Sequence, residues 1–198
     1  MPIDFYQELA KSQHLDYIAL QHPQTWGIFT TFLAAESFNL IIEIGTGPGG
    51  LTEYMKDLGY TVVSYDVNDP YETHTALIAK GVDIRHKQIF HDDYTNLDTE
   101  AQTLIQGGGK TLILCDGAFK AGEFNLLASY LKPGDFIMAH DYCVDCDSFN
   151  EVYKDKEWKW LELVEVDIQT QCASLGLVSH QQETFDPIFW VCKKKPTA

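Results

Sequence analysis

A short apolar run that leads into a cluster of glycines constrains this chain more than any other feature. Residues 41–44 are Ile-Ile-Glu-Ile, and Gly45, Gly47, Gly49 and Gly50 follow. Such a glycine turn after a buried parallel strand lets the backbone lie directly against a ligand, because glycine adopts left-handed conformations and has no side chain to keep another group away. The pattern therefore predicts a strand–loop–helix unit of an α/β fold, with a ligand at the loop.

Two ligand classes share this pattern. Gly45, Gly47 and Gly50 fit G-x-G-x-x-G, the fingerprint in which a helix N-terminus receives the pyrophosphate of a dinucleotide. With Glu43 included, the stretch reads E-x-G-x-G-x-G and resembles the first motif of class I S-adenosylmethionine-dependent methyltransferases. Asp66 ends a second predicted strand about twenty residues beyond the first glycine, where both classes place an acid on a ribose. Asp66 thus indicates a nucleoside ligand of either class.

Length favours the methyltransferase interpretation. A dehydrogenase needs a substrate domain beyond its dinucleotide fold, whereas 198 residues nearly fill one domain. The resemblance implies an α/β fold: a Rossmann-like, doubly wound, seven-stranded sheet of order 3-2-1-4-5-7-6 with an antiparallel last strand. It implies a single domain over residues 1–198, with residues 1–38 as N-terminal helices that cover the site. The implied cofactor is S-adenosylmethionine, bound by Glu43, Gly45, Gly47 and Asp66, with Asp92 as a candidate acceptor from the adenine amine.

Hydrophobic periodicity places the remaining elements. Predicted strands follow the first one at residues 61–66, 82–90, 111–115, 136–139, 160–166 and 188–192. Predicted helices lie between them, for example at 51–58, 73–79 and 97–105. Residues 167–186 show no clear period, and we interpret them as an insertion that covers the substrate.

A second group of residues suggests the chemistry. Asp116 follows the fourth predicted strand and His140-Asp141 follows the fifth, so all three should face one cleft at the carboxyl ends of the sheet. With Lys120 and Lys132-Pro133-Gly134, they make residues 23–142 resemble small metal-dependent O-methyltransferases, namely the catechol type and the cephalosporin-hydroxylase-like and macrolide-sugar relatives.

In those families, acidic or amide side chains at these positions hold a divalent ion that binds the hydroxyls of the acceptor. The resemblance therefore implies Asp116, His140 and Asp141 as ligands of magnesium or manganese. Two positions depart from the families: His140 replaces an acid of the hydroxylase-like relatives, and Tyr142 replaces an amide of the catechol type. A histidine ligand suits manganese better than magnesium, which prefers oxygen.

The reaction itself requires an oxygen nucleophile that has lost most of its proton. A metal ion lowers the pKa of a bound hydroxyl and also orients it. We expect Asp116 and His140 to be catalytic, with Lys120 as the base on condition that burial or a neighbouring cation lowers its pKa.

Composition limits the partners. Fourteen basic against 29 acidic residues give a net charge of −15, which repels nucleic acids and anionic membranes. No apolar run approaches the roughly 20 residues of a membrane span, and no leader pattern begins the sequence, so we expect a cytoplasmic protein. Five cysteines, an odd number, favour reduced thiols over a disulfide framework, and Cys143-x-x-Cys146 lacks the further ligands of a zinc site. We expect a small hydroxylated methyl acceptor as the partner and allow for a homodimer.

Three alternatives remain open at this point. One is a metal-free class I methyltransferase acting on nitrogen, oxygen or carbon. Another is an NAD-dependent oxidoreductase. The third is a non-catalytic nucleoside-binding protein that keeps the glycine loop.

Overall fold

The computed structural model describes residues 19–69 and 71–197 and contains a seven-stranded sheet. The strands of this sheet are β1 Leu40–Ile44, β2 Val62–Asp66, β3 Asp83–His86, β4 Thr111–Cys115, β5 Phe136–Ala139, β6 Val178–Ser179 and β7 Val191–Lys194. The longer helices are α1 Thr25–Glu36, α2 Gly50–Asp57, α3 His74–Ala79, α4 Thr99–Ile105, α5 Lys120–Ala128 and α6 Glu165–Leu175.

The strand order is β3-β2-β1-β4-β5-β7-β6. All neighbouring pairs among the first five strands are parallel, whereas β7 is antiparallel to both β5 and β6. The predicted α/β class, the predicted order and the antiparallel last strand are all confirmed. This order brings the carboxyl ends of β1, β4 and β5 side by side, so the loops that follow these three strands lie next to one another.

The core lies on both faces of the sheet, because alternate residues of a strand point to opposite sides. Ile41, Leu112 and Met138 pack with α1 and α2 on one face. Ile42 and Ile113, each one residue further along, pack with α4, α5 and α6 on the other. β4 is buried at every position, as expected for a central parallel strand.

The predicted sixth strand, residues 160–166, is wrong. Only Leu163–Val164 is extended there, and it pairs with Tyr142–Cys143 in a separate two-stranded ladder. The chain then enters α6, where the Asp167 carboxylate accepts from the Val164 backbone nitrogen at 2.9 Å and caps the helix. A short apolar run fits a strand and a helix start equally well, which is why periodicity misassigned it.

The interpretation of residues 167–186 as an insertion is also wrong, because they form a regular part of the fold. It contains α6, which packs against α5, and β6, the edge strand that pairs with β7. Gly176, at φ 65°, ends the helix in the left-handed conformation that glycine favours.

Smaller differences concern the boundaries of two strands and the N-terminal region. β3 ends at His86, and Phe90–His91 instead forms a hairpin with Asn96–Leu97. β7 begins at Val191 because Asp186–Ile188 forms a 3-10 turn. Of the predicted N-terminal helices, α1 is described, and the part of that prediction on residues 1–18 lies outside the described residues.

Two expectations from composition can be compared with the structure. All five cysteines are free, in agreement with the predicted thiols. Over residues 19–69 and 71–197, no helix combines the length and apolar character that a membrane span requires.

Candidate active site

The glycine loop after β1 leaves room for a ligand. Gly45 has φ +88°, and a Cβ there would lie 2.4 Å from the carbonyl oxygen of Asp116, so only glycine lets the loops after β1 and β4 pass so closely. At Gly47, which has φ +51°, a Cβ would meet nothing within 4 Å. The backbone at Gly47 is therefore open to a bound molecule.

Two cavities adjoin this loop and share Gly45, Gly47 and Asp116 in their walls. The β2-side cavity, of about 270 Å³, is also lined by Tyr65, Asp66, Gln88, Phe90 and Tyr94. The β5-side cavity, of about 260 Å³, is also lined by Gln21, Glu43, Lys120, His140, Asp141, Trp158, Trp160 and Glu162. An elongated ligand lying across the glycine loop would reach both.

Asp66 stands at the end of β2, where the sequence predicted it. Its Oδ2 accepts from the Gly47 backbone nitrogen at 3.0 Å, and its Oδ1 accepts from that of Asn68 at 3.1 Å. The carboxylate thus organises the glycine loop and also borders the β2-side cavity.

Glu43 is buried beneath the loop. Its Oε2 accepts from Thr52 Oγ1 at 2.5 Å and from Ser64 Oγ at 2.6 Å. Burial raises the pKa of Glu43 to about 8, and the two hydroxyl groups oppose that rise only in part. Glu43 also lines the β5-side cavity, and its predicted place beside a cofactor stays a prediction.

The three predicted metal ligands come together at the ends of β4 and β5. Cys115 and Ala139 are paired in register, so Asp116 and His140 follow them as neighbours. Oxygen or nitrogen atoms of Asp116, His140 and Asp141 all lie within 4.8 Å of one another. His140 Nδ1 is 3.1 Å from Asp116 Oδ1, and the imidazole stacks on Trp190 with ring centroids 4.7 Å apart.

The charge state of His140 reflects these neighbours. Burial alone would lower the pKa of His140, but the carboxylates of Asp141 and Asp116 outweigh burial and raise it. Because a carboxylate only accepts hydrogen bonds, Nδ1 carries the hydrogen toward Asp116. Nε2 is buried and has no hydrogen-bond partner among the described residues.

Lys120 lies within the same cluster, where its surroundings do not lower its pKa as a role as base would require. Its Nζ is 2.7 Å from Glu162 Oε2, 3.1 Å from Asp141 Oδ2 and 3.7 Å from Asp116 Oδ1. Burial alone would lower the pKa of Lys120, but the three carboxylates raise it above its usual range. The side chain is therefore a cation at neutral pH, so the condition under which Lys120 was expected to act as a base is not met.

Sequence reasoning missed several residues of this cluster. The Gln21 side chain donates from Nε2 to Asp116 Oδ2 at 2.9 Å and accepts from Trp190 Nε1 at 2.9 Å. Trp158 Nε1 donates to Asp141 Oδ1 at 2.8 Å. These partners are far apart in the chain, and no local pattern links them.

Asp92 lies elsewhere than the sequence suggested, and Tyr142 lines neither cavity. Asp92 is on the exposed tip of the 90–97 hairpin at φ 50°, where its carboxylate accepts from Asn96 Nδ2 at 2.7 Å, and it does not line the β2-side cavity. Gln88 and Tyr94 line that wall instead. The Tyr142 hydroxyl donates to Glu165 Oε2 at 2.9 Å, within a cluster that lines neither cavity.

Comparisons with known proteins identify the fold. No family model matches the chain, and no curated protein matches it. Among solved structures, the CcbJ methyltransferase from Streptomyces caelestis is similar with a TM-score of 0.57 and 11% identity, over 89% of this chain and 91% of that one. An S-adenosylmethionine-dependent methyltransferase from Clostridium acetobutylicum gives a TM-score of 0.55 at 10% identity, over 89% and 92% of the two chains.

Human N-acetylserotonin methyltransferase, solved in complex with S-adenosylmethionine, gives a TM-score of 0.54 at 17% identity. The match covers 87% of this chain and 52% of the human one, so this chain spans about half of that protein. At such identities the similarity establishes the fold, which is the Rossmann-like fold of these methyltransferases.

Proposed function

We propose that this protein is an S-adenosylmethionine-dependent methyltransferase that methylates a hydroxyl group of a small molecule. One observation carries the proposal. The Gly47–Asp66 contact borders one cavity, the Asp116–His140 pair borders the other, and the two cavities meet at Gly45. A nucleoside group would lie on the β2 side and the acceptor on the β5 side.

The described residues fit such a cofactor. The cavities of about 270 and 260 Å³ together reach the size of ligand sites, which are commonly about 300 to 1,000 Å³. Asp66 presents carboxylate oxygens to the β2-side cavity, where they can accept from both ribose hydroxyls. When bound, S-adenosylmethionine supplies an electrophilic methyl group on a sulfonium. The Asp116 carboxylate, which lines both cavities, gives their shared wall a negative charge that suits this cation.

His140 is the proposed base. With Nδ1–H directed at Asp116, its Nε2 is the nitrogen that can accept a proton from the acceptor hydroxyl. In its neutral form His140 would take the acceptor's hydroxyl proton on Nε2, and Asp116 and Asp141 would stabilise the imidazolium that forms. The Trp190 ring beneath the imidazole and Gln21 on Asp116 hold this pair in orientation.

A divalent ion, which the resemblance implies, does not fit the arrangement described. Asp116, His140 and Asp141 are near enough to one another, but the Lys120 ammonium lies 3.1 Å from Asp141 and would repel an ion bound there. We therefore assign no step to a metal.

The test has a binding arm and a reaction arm. Calorimetry should show that S-adenosylhomocysteine binds and that NAD does not; tight NAD binding without a response to S-adenosylhomocysteine would support an oxidoreductase instead. Methyl transfer from labelled S-adenosylmethionine to a panel of phenols and diols should then fall by about 10²- to 10⁴-fold in His140→Asn, the usual contribution of a general base.

The His140→Asn variant should keep most of its affinity for S-adenosylhomocysteine, because His140 does not line the β2-side cavity, where the nucleoside group would lie. Binding of cofactor without transfer to any acceptor of the panel would favour a non-catalytic nucleoside-binding protein.

A further inference from the structure

We propose that the Lys120 ammonium is the built-in cation of the β5-side cavity and takes the place that a divalent ion holds in the metal-dependent methyltransferases that the sequence resembles. The site would then work without metal, and removal of the ammonium would expose a latent Mn²⁺ site. The inference rests on the proposed function only in naming the cavity as the acceptor site.

The position of Lys120 is the first part of the argument. It is the first residue of α5, and its side chain is only 5% exposed. Three carboxylates surround its Nζ: Glu162 at 2.7 Å, Asp141 at 3.1 Å and Asp116 at 3.7 Å. Each comes from a different loop, so the ammonium balances charges that the tertiary structure gathers at one point.

The occupancy of the carboxylate oxygens is the second part. Asp116 Oδ1 faces His140 Nδ1 at 3.1 Å, and Asp116 Oδ2 accepts from Gln21 at 2.9 Å. Asp141 Oδ1 accepts from Trp158 at 2.8 Å, and Asp141 Oδ2 pairs with Lys120 at 3.1 Å. Each of the four oxygens of these two carboxylates therefore already has a donor from the protein.

The lysine is also held from its other side. Its Nζ donates to the carbonyl oxygen of Gly117 at 3.2 Å as well as to Glu162. A divalent ion bound to Asp116 and Asp141 would have to displace a like charge from these contacts. Lys120 is one of the residues that line the cavity, so its positive charge can attract an acceptor oxygen and stabilise the negative charge that forms as the proton leaves.

Mn²⁺ alone is the probe for this inference, because it needs no acceptor. Binding should be followed by the loss of the free Mn²⁺ signal in electron paramagnetic resonance and by thermal shift. The native protein should show no saturable binding at this cluster. Lys120→Met, which removes the charge and keeps most of the length, should bind Mn²⁺ at least about tenfold more tightly than the native protein does.

Two variants serve as controls. Lys156→Met makes the same change at an exposed lysine that lines neither cavity, and it should behave like the native protein. Lys120→Arg keeps the positive charge and should also fail to bind Mn²⁺.

Native protein that binds Mn²⁺ saturably, with binding lost in Asp141→Asn, would overturn the inference; so would a folded Lys120→Met that binds no more tightly than the native protein. If Lys120→Met fails to fold, the native protein and its Asp141→Asn variant decide the matter by themselves. Calorimetry with S-adenosylhomocysteine on the native protein separates the two proposals. Failure to bind it would refute the proposed function, whereas metal binding alongside it would refute only the role of Lys120.

Discussion

Replacing Asp66 with alanine tests the cofactor assignment most directly, because this carboxylate has two tasks. It borders the β2-side cavity, where it would accept from the ribose hydroxyls, and it holds Gly47 through a 3.0 Å hydrogen bond from the backbone nitrogen. Asp66→Ala therefore removes a ligand contact and also releases the loop that the ligand must lie against.

The size of the effect follows from the bonds that are lost. A hydrogen bond to a charged group contributes about 1.5 to 3 kcal/mol, so loss of the ribose contact should weaken S-adenosylhomocysteine binding by roughly tenfold to a hundredfold. The bonds from Gly47 and Asn68 act within the free protein, and at the same rate the two together would contribute about 3 to 6 kcal/mol in a buried site. Because Asp66 is partly exposed, we expect their loss to lower the free energy of unfolding by about 1 to 3 kcal/mol.

Isothermal titration calorimetry with S-adenosylhomocysteine is the assay, with denaturant unfolding in parallel. Asp66→Asn should give an intermediate affinity, because the amide keeps one acceptor oxygen and replaces the other by a donor. Asp145→Ala is the matched control: Asp145 accepts from the Ser148 backbone nitrogen at 2.7 Å and lines neither cavity, so its loss should leave the affinity unchanged. An Asp66→Ala variant that binds S-adenosylhomocysteine as tightly as the native protein would refute the assignment.

Two further predictions concern stability. Gly45→Ala should lower the free energy of unfolding, measured by urea titration, by at least about 1 to 3 kcal/mol, because it places a side chain at a positive φ and against the Asp116 carbonyl oxygen. Gly108→Ala is the control: a Cβ there meets nothing within 4 Å, so the free energy of unfolding should change by less than about 0.5 kcal/mol. Burial raises the pKa of Glu43 from 4.5 to about 8 and that of Glu123 from 4.5 to about 7. Between the unfolded and the folded pKa of each group, the folded state binds more protons than the unfolded state does. The free energy of unfolding should therefore fall as the pH rises from about 4.5 to 8. Melting temperatures across that range should decline less steeply in Glu43→Gln, and an unchanged slope would show that Glu43 is not the group responsible.

Much of the cofactor side of the site could be predicted from local sequence. The strand–glycine pattern at Glu43, Gly45 and Gly47 and the acid at Asp66 depend on backbone conformation and on spacing within one βα unit, and such signals are contained in a few neighbouring residues. The strand order came from a resemblance rather than from periodicity. The strand at residues 160–166 was predicted from hydrophobic periodicity alone, and periodicity cannot distinguish a short apolar strand from the start of a helix.

The β5-side cavity was decided by tertiary structure. The sequence placed Asp116, His140 and Asp141 at strand ends, but it did not indicate that Gln21 would reach Asp116 from 95 residues away. Nor did it indicate the charge of Lys120. A pKa depends on which charges lie within a few ångströms, and the carboxylates around this lysine follow β4, follow β5 and precede α6. Only the folded chain brings those three loops together, and the proximity of their carboxylates keeps Lys120 a cation.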